Sequence, residues 1–155
     1  MIKLYRICSA KFGVSPELAF SGIGAKQNPG RWNNLNVSIV YTAETLSLAM
    51  LEMLVHLDRI MLRLSYVYFE IKALEDLVLE LPYSQLPIKW NTYPAPPGTK
   101  NRGDQWVASM SSVILKVPSV LNPLEHTFLI NPHHDDFKKL IIDGPFAIPF
   151  DGRLK

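Results

Sequence analysis

Apolar and polar positions change period along the chain, and the changes divide it into elements. Residues 4–7, Leu-Tyr-Arg-Ile, fit a short first strand. Between residues 12 and 36 Gly, Ser, Asn and Pro are frequent, which predicts irregular backbone around Gly22, Gly24 and Gly30. Residues 37–41, Val-Ser-Ile-Val-Tyr, are largely β-branched and apolar and predict a buried strand. Thr42 then stands as the N-cap of a helix over residues 43–57, with Glu44 in its positive first turn. That helix is apolar on nearly every side and is expected deep in the core. Residues 65–71 alternate and are rich in Tyr, Val and Phe, as a strand does. Residues 86–103 contain Pro87, Pro94, Pro96, Pro97, Gly98 and Gly103, a density that predicts a long surface loop with no helix or central strand. A loop of that length points to function more than to connection. Residues 113–117, 127–130 and 140–142 read as strands, and 146–150 as a weaker one because of Pro149; a second helix is expected near residues 104–109. The fold class is α+β, with many short strands and few helices.

Length and composition narrow the class. A chain of 155 residues matches one domain over residues 1–155. At that size folding buries about 70% of the surface the unfolded chain exposes, enough for a core without metal or disulfide staples. With 48% hydrophobic and 19% charged residues the chain is neither disordered nor a coiled coil. Sixteen Lys+Arg against 14 Asp+Glu leave a formal charge of +2, too little for direct nucleic-acid binding by bulk electrostatics. A single cysteine, Cys8, allows no internal disulfide and fits a reducing compartment. The first residues have no long apolar run of the secretory type, and the greasiest stretch, 46–57, is interrupted by Glu52 and too short to span a bilayer. The expected location is the cytoplasm, without a membrane partner.

Several positions stand out chemically. Glu52 lies among Leu48, Ala49, Val55 and His56 on the helix expected over residues 43–57. It is either an outward carboxylate on a partly exposed helix or a carboxylate at the floor of a cleft, where desolvation raises its pKa or an Arg lowers it. His56, at i+4, shares its face as a structural histidine or a site residue. In Gly30-Arg31-Trp32-Asn33 the glycine lets the backbone turn and present a guanidinium, which suits a two-point grip on phosphate or carboxylate. The same segment also reads as a surface loop whose Trp32 caps the core. Tyr41 fits a core aromatic and a stacking platform equally. His126, His133, His134, Asp135 and Asp136 form a small cluster whose spacing matches no common metal site, so a solvated turn and no metal are expected.

The order of these segments resembles the RES-domain family, named for an Arg, a Glu and a Ser. Gly30-Arg31-Trp32-Asn33, Val40-Tyr41, Ser47-Leu48-Ala49, Leu51-Glu52 and His56 follow its pattern. So do Gly103-Asp104-Gln105-Trp106, Val117-Pro118-Ser119, Asn131-Pro132-His133 and Phe150-Asp151-Gly152-Arg153-Leu154. The family usually has two glycines before the Arg, where this chain has Pro29-Gly30. It often has an Asn-aromatic pair before the Asn, where this chain has His126-Thr127-Phe128.

The resemblance implies a fold similar to the ADP-ribosyltransferase catalytic core and the role of toxin in a bacterial toxin–antitoxin pair. It further implies NAD⁺ as substrate, without metal, and an Xre-type helix-turn-helix antitoxin covering the active site. Carried over residue by residue, it assigns Arg31, Tyr41, Glu52 and Ser119 to the catalytic site, with Arg6, His56 and Asn131 as further NAD⁺ contacts. Ser119 is favoured as the name-giving serine over Ser109, Ser111 and Ser112. Three functions follow for comparison. One is cleavage of the nicotinamide–ribose bond by hydrolysis or phosphorolysis; a second is transfer of ADP-ribose to a protein. The third is a non-catalytic binding module whose contact surface is Trp32, Trp90, Trp106 and the proline-rich loop.

Overall fold

In the computed structural model, which describes residues 1–154, the strands are β1 Ile2–Ser9, β2 Val40–Ala43, β3 Tyr66–Ala73, β4 Val78–Glu80, β5 Ile114–Pro118, β6 His126–Ile130 and β7 Ile141–Ile148. They form one sheet in the order β4-β5-β6-β2-β1-β3-β7. Every neighbouring pair is antiparallel except β4 and β5. Four α-helices accompany it: α1 Pro16–Ala19, α2 Ile23–Gln27, α3 Leu46–Leu54 and α4 Pro97–Ser109.

Period-two alternation sorts the strand residues onto two faces. One face carries Leu4, Cys8, Val40, Phe69, Ile71, Ile114, Phe128 and Ile130, packed with Ala19, Phe20, Leu77 and Leu140. The other is covered in two patches. Ile39, Leu115, Val117 and Leu129 lie under Trp32 and the Trp106 of α4. Ile7, Ala43 and Tyr66 lie under Leu48 and Ala49 of α3. Two helices thus share one face, with β2 between their footprints. There β1 and β2 share a single register pair, Tyr5 with Ala43, so the sheet parts at its centre.

The α+β class holds, and several element expectations are corrected. Residues 12–36 contain α1 and α2 rather than irregular chain alone; Ser15 caps α1, its Oγ accepting the Leu18 N–H, and Pro16 opens it. The strand expected over 37–41 begins at Val40 and runs to Ala43, because Val40–Ala43 pairs with β6. Thr42 is therefore a strand residue whose hydroxyl donates to the Phe128 carbonyl. Thr45 is the N-cap of α3 instead, accepting the Leu48 N–H at 3.0 Å. Nor is α3 buried all round: Leu48 and Ala49 are its buried residues, whereas Leu51 is 41% exposed.

Helix α4 starts at Pro97, inside the segment expected to be loop. Proline in a first helical turn loses no hydrogen bond, so the proline density did not forbid it. Gly103 is required in that helix, since a Cβ there would overlap the Trp32 carbonyl. The two strands expected at 140–142 and 146–150 are one continuous strand, β7. It tolerates Pro145 because it pairs with β3 alone, at the sheet edge. Strand β4, three residues long, had no expectation.

Candidate active site

Tyr41 and the 30–33 loop form one rigid unit at the centre of the helix-covered face. The Tyr41 hydroxyl donates to Asn33 Oδ1 at 2.7 Å and accepts the Trp32 N–H at 2.9 Å. Asn33 Oδ1 also accepts the Gly30 N–H at 2.9 Å, and its Nδ2 donates to the carbonyl of Ala25 at 2.7 Å. Asn33 is fully buried. Gly30 is present because the tyrosine lies against it: a Cβ would sit 2.6 Å from the hydroxyl oxygen. The glycine therefore serves a close approach and not the sharp turn expected from sequence. Asn34 ties the loop to α4, its N–H donating to Asp104 Oδ1 at 3.0 Å and its Nδ2 to Asp104 Oδ2 at 2.7 Å. Burial raises the Tyr41 pKa, so the side chain stays a neutral phenol.

This unit fixes Arg31. Its Nη1 donates to the carbonyls of Trp90 at 2.8 Å and Thr92 at 2.6 Å, which pins the proline-rich segment beside the site. Among the described residues its Nε and Nη2 carry no protein bond. Partial burial lowers the Arg31 pKa, and the neighbouring Glu52 and Tyr41 oppose that shift. Arg31 and Glu52 thus act on each other through space without forming an ion pair.

Glu52 enters from α3, and Ser119 from the segment after β5. The Ser119 hydroxyl donates to Glu52 Oε1 at 3.0 Å, while its oxygen accepts the N–H groups of Leu121 and Asn122, each at 3.2 Å. Glu52 Oε2 has no hydrogen-bond partner among the described residues. Burial raises the Glu52 pKa; the Ser119 hydrogen bond opposes this most, followed by the charges of His56 and Arg31. The result is a partly desolvated carboxylate with one oxygen held and the other open, within electrostatic reach of the Arg31 guanidinium.

The structure brings together Arg31, Tyr41, Glu52 and Ser119. His56 is exposed in the turn after α3, near enough to act on the Glu52 charge. Arg6 lies in the parting between β1 and β2. Its Nε donates to the Ala19 carbonyl at 2.8 Å and its Nη1 to the Tyr41 carbonyl at 3.1 Å, with the guanidinium 5.9 Å from the Phe20 ring centre. It touches the Tyr41 backbone and not the Glu52–Ser119 pair.

Asn131 lies far from Ser119, although it is only two residues beyond Leu129, the β6 partner of Tyr41. Its N–H pairs with the Val113 carbonyl, at the opposite end of β5 from Ser119. Six residue-to-residue steps separate Val113 from Ser119, about 20 Å along the strand. Its side chain instead accepts the His133 N–H and donates toward Val107 and Met110. Ser109, Ser111 and Ser112 lie beyond the site too, bonded among themselves and to Trp106 around the end of α4.

Trp32 and Trp106 are 2% and 1% exposed, core residues and not a contact surface. His134 caps a 3₁₀ turn, its Nδ1 accepting the Asp136 N–H. Among the described residues no group of three His, Cys, Asp or Glu side chains could hold a metal ion. A shallow hollow of about 340 Å³ lies at the middle of the sheet, at Ile2, Lys3, Leu4, Glu44, Thr45 and Phe128, and contains none of Arg31, Tyr41, Glu52 and Ser119. Sequence reasoning gave Asn33 and Asp104 no role, although both stand in quoted motifs; a buried amide beside the Arg was the available signal.

A family model described as the RES domain matches residues 3–151. The chain is 36% identical over 153 residues to "Toxin Res" of Yersinia enterocolitica serotype O:8 / biotype 1B, covering 98% of this chain and 99% of that protein. It is 40% identical over 121 residues to "Prs ADP-ribosylating toxin" of a Sphingobium species, covering 76% and 75%. Among solved structures it resembles a chain of the M. tuberculosis MbcT-MbcA toxin-antitoxin complex, with a TM-score of 0.73 and 18% identity over 96% of this chain and 84% of that one. At that identity the likeness concerns the fold.

Proposed function

The chain belongs to the RES-domain family, and from that premise we propose that it is the toxin of a bacterial toxin–antitoxin pair whose substrate is NAD⁺. Its reaction is cleavage of the bond between nicotinamide and ribose, by water or phosphate, in the cytoplasm. Residues 1–155 act as one RES domain. The names of the relatives support the toxin role, and the desolvated Glu52 carboxylate within electrostatic reach of Arg31 supports the chemistry. The observation that carries the reading is Glu52, bonded to Ser119 at 3.0 Å through one oxygen while the other stays open.

Nicotinamide in NAD⁺ is already a cationic leaving group and needs little acid assistance. The demand on the protein is to stabilise an oxocarbenium-like ribose, which a nearby carboxylate does by charge. Glu52 Oε2 supplies that charge and accepts from the ribose 2′-hydroxyl, while Ser119 holds Oε1. Arg31, with Nε and Nη2 open, grips the pyrophosphate, and Arg6 adds positive charge beside Tyr41. The Tyr41 hydroxyl is committed to Asn33 and Trp32, which leaves its ring to stack on the nicotinamide. His56 borders the same cleft. The residues present need no metal for these roles. An Xre-type antitoxin closes the cleft during growth.

Purified, antitoxin-free protein incubated with NAD⁺ is expected to release nicotinamide, with ADP-ribose accumulating in plain buffer and its phosphorylated form when phosphate is added. Chelator should not slow it. No nicotinamide above a heat-killed control rejects the reading. A second reading, transfer of ADP-ribose to a protein, is favoured by the name of the 40% identical relative. Label from adenine-labelled NAD⁺ appearing on a protein band in lysate, at the expense of free ADP-ribose, would select it.

A further inference from the structure

Glu52 and Ser119 come from segments 67 residues apart, and something must set the distance between them. Helix α3 meets the segment after β5 at two points. Two turns before Glu52, and on the same face of the helix, stands the N-cap Thr45. The Thr45 hydroxyl accepts the Leu48 N–H at 3.0 Å and donates to Glu125 Oε1 at 2.7 Å. The other Glu125 oxygen accepts from Asn122 Nδ2 at 2.7 Å. The Glu125 carbonyl accepts the Ser119 N–H at 3.1 Å, and its own N–H donates to the Asn122 carbonyl at 3.0 Å. Asn122 in turn donates its N–H to the Ser119 hydroxyl oxygen. Glu125 is thus bonded to the helix that carries Glu52 and to the loop that carries Ser119, and touches neither side chain.

We propose that Glu125 is a positioning residue for the site, a bracket that holds the Ser119 loop against α3 so that the Ser119 hydroxyl reaches Glu52. The inference rests on the NAD⁺ reading for its kinetic consequence, and on geometry alone for its structural one. Without the bracket the loop is free to lift from α3, and Glu52 loses its hydrogen bond while remaining desolvated. The charged groups that then act on Glu52 are Arg31 from the 30–33 loop and His56 from its own helix end. Loss of the Ser119 bond leaves burial less opposed, so the Glu52 carboxyl titrates at higher pH.

The test compares Glu125→Ala and Glu125→Gln with wild type. The glutamine keeps an acceptor for Thr45, and the Asn122 amide can turn to satisfy its other end. For Glu125→Ala, kcat for nicotinamide release is expected to fall about tenfold, as small misplacements of catalytic groups do. KM for NAD⁺ should stay within about twofold, and the acid limb of the pH–rate profile should move to higher pH. Glu125→Gln should recover most of the rate. Carbon-13 NMR titration of the Glu52 carboxyl should show a raised midpoint in the alanine variant. Wild-type kcat with an unmoved midpoint overturns the proposal, as does an equal loss in both variants, which would make charge and not geometry the cause. If Glu125→Ala melts below the assay temperature, Asn122→Ala is read by the same criteria. If wild type releases no nicotinamide, the proposed reaction falls, and the titration midpoint alone decides the bracket.

Discussion

At Glu52 folding and chemistry pull in opposite directions. Burial holds its carboxyl above the ordinary value of 4.5, against the Ser119 bond and the His56 and Arg31 charges. A carboxyl with a raised folded pKa binds its proton more tightly in the native state. Its contribution to stability therefore grows as pH falls through the raised pKa toward 4.5 and diminishes as pH rises. On the proposed mechanism activity should run the other way, since only the ionised form would stabilise positive charge at the ribose. Glu52→Gln should be at least as stable as wild type at neutral pH and should flatten that part of the stability–pH curve. Nicotinamide release should fall roughly 10²–10³-fold, the usual loss for one such electrostatic contact. Thermal melts from pH 4 to 8 and nicotinamide assays on one preparation check both; wild-type turnover in the variant rejects the mechanism. At this scale the sequence was informative about kinds of residue. The family resemblance pointed to Arg31, Tyr41, Glu52 and Ser119. The Val117-Pro118-Ser119 match favoured Ser119 over Ser109, Ser111 and Ser112, but nothing local says which serine the fold returns to α3; the Ser119–Glu52 hydrogen bond does.

Helix α4 and the 30–33 loop act as one element although 60–70 residues separate them. Gly103 lets the helix touch the Trp32 carbonyl, and Asp104 one position later receives both Asn34 donors. Arg31 immediately precedes Trp32 on the same loop. Gly103→Ala should push the helix off the loop and destabilise the protein by about 1–3 kcal/mol, the usual range for overpacking. NAD⁺ turnover should fall with it as Arg31 shifts. Gly24→Ala, where an added Cβ meets nothing within 4 Å, is the control and should be neutral or slightly stabilising. Urea midpoints of the two variants check the contrast; equal midpoints reject the close approach. Proline and glycine counts alone read this region as loop, since the count does not show that Pro97 falls in a first turn or that Gly103 faces another backbone.

At the scale of the whole molecule, large apolar side chains are exposed on the two segments that carry Glu52 and bond Arg31. Leu51 and Val55 are 41% and 52% exposed on and just after α3, and Ile88 and Tyr93, on the segment pinned by Arg31, are 89% and 87% exposed. A partner filling the cleft would cover them. Co-expression with an adjacent Xre-type antitoxin gene should give one co-eluting peak in gel filtration, and Val55→Asp with Tyr93→Asp should split it. Separate elution of the wild-type pair rejects the partner. Among the described residues no helix is long and apolar enough to cross a membrane. By itself the sequence determined where most strands lie, which residue types are candidates for the chemistry and which family they resemble, because alternation, composition and spacing are local properties. Only the tertiary structure decided the rest. It moved the cap of α3 from Thr42 to Thr45, because β6 pairs Thr42 into the sheet. It joined two strands through Pro145 because β7 is an edge, and it added β4 because a three-residue strand needs its neighbour to exist. It set Ser119 on Glu52 and put Asn131 at the far end of the same hairpin. Each outcome depends on contacts between segments distant along the chain, and no local pattern encodes which distant partner a residue will meet.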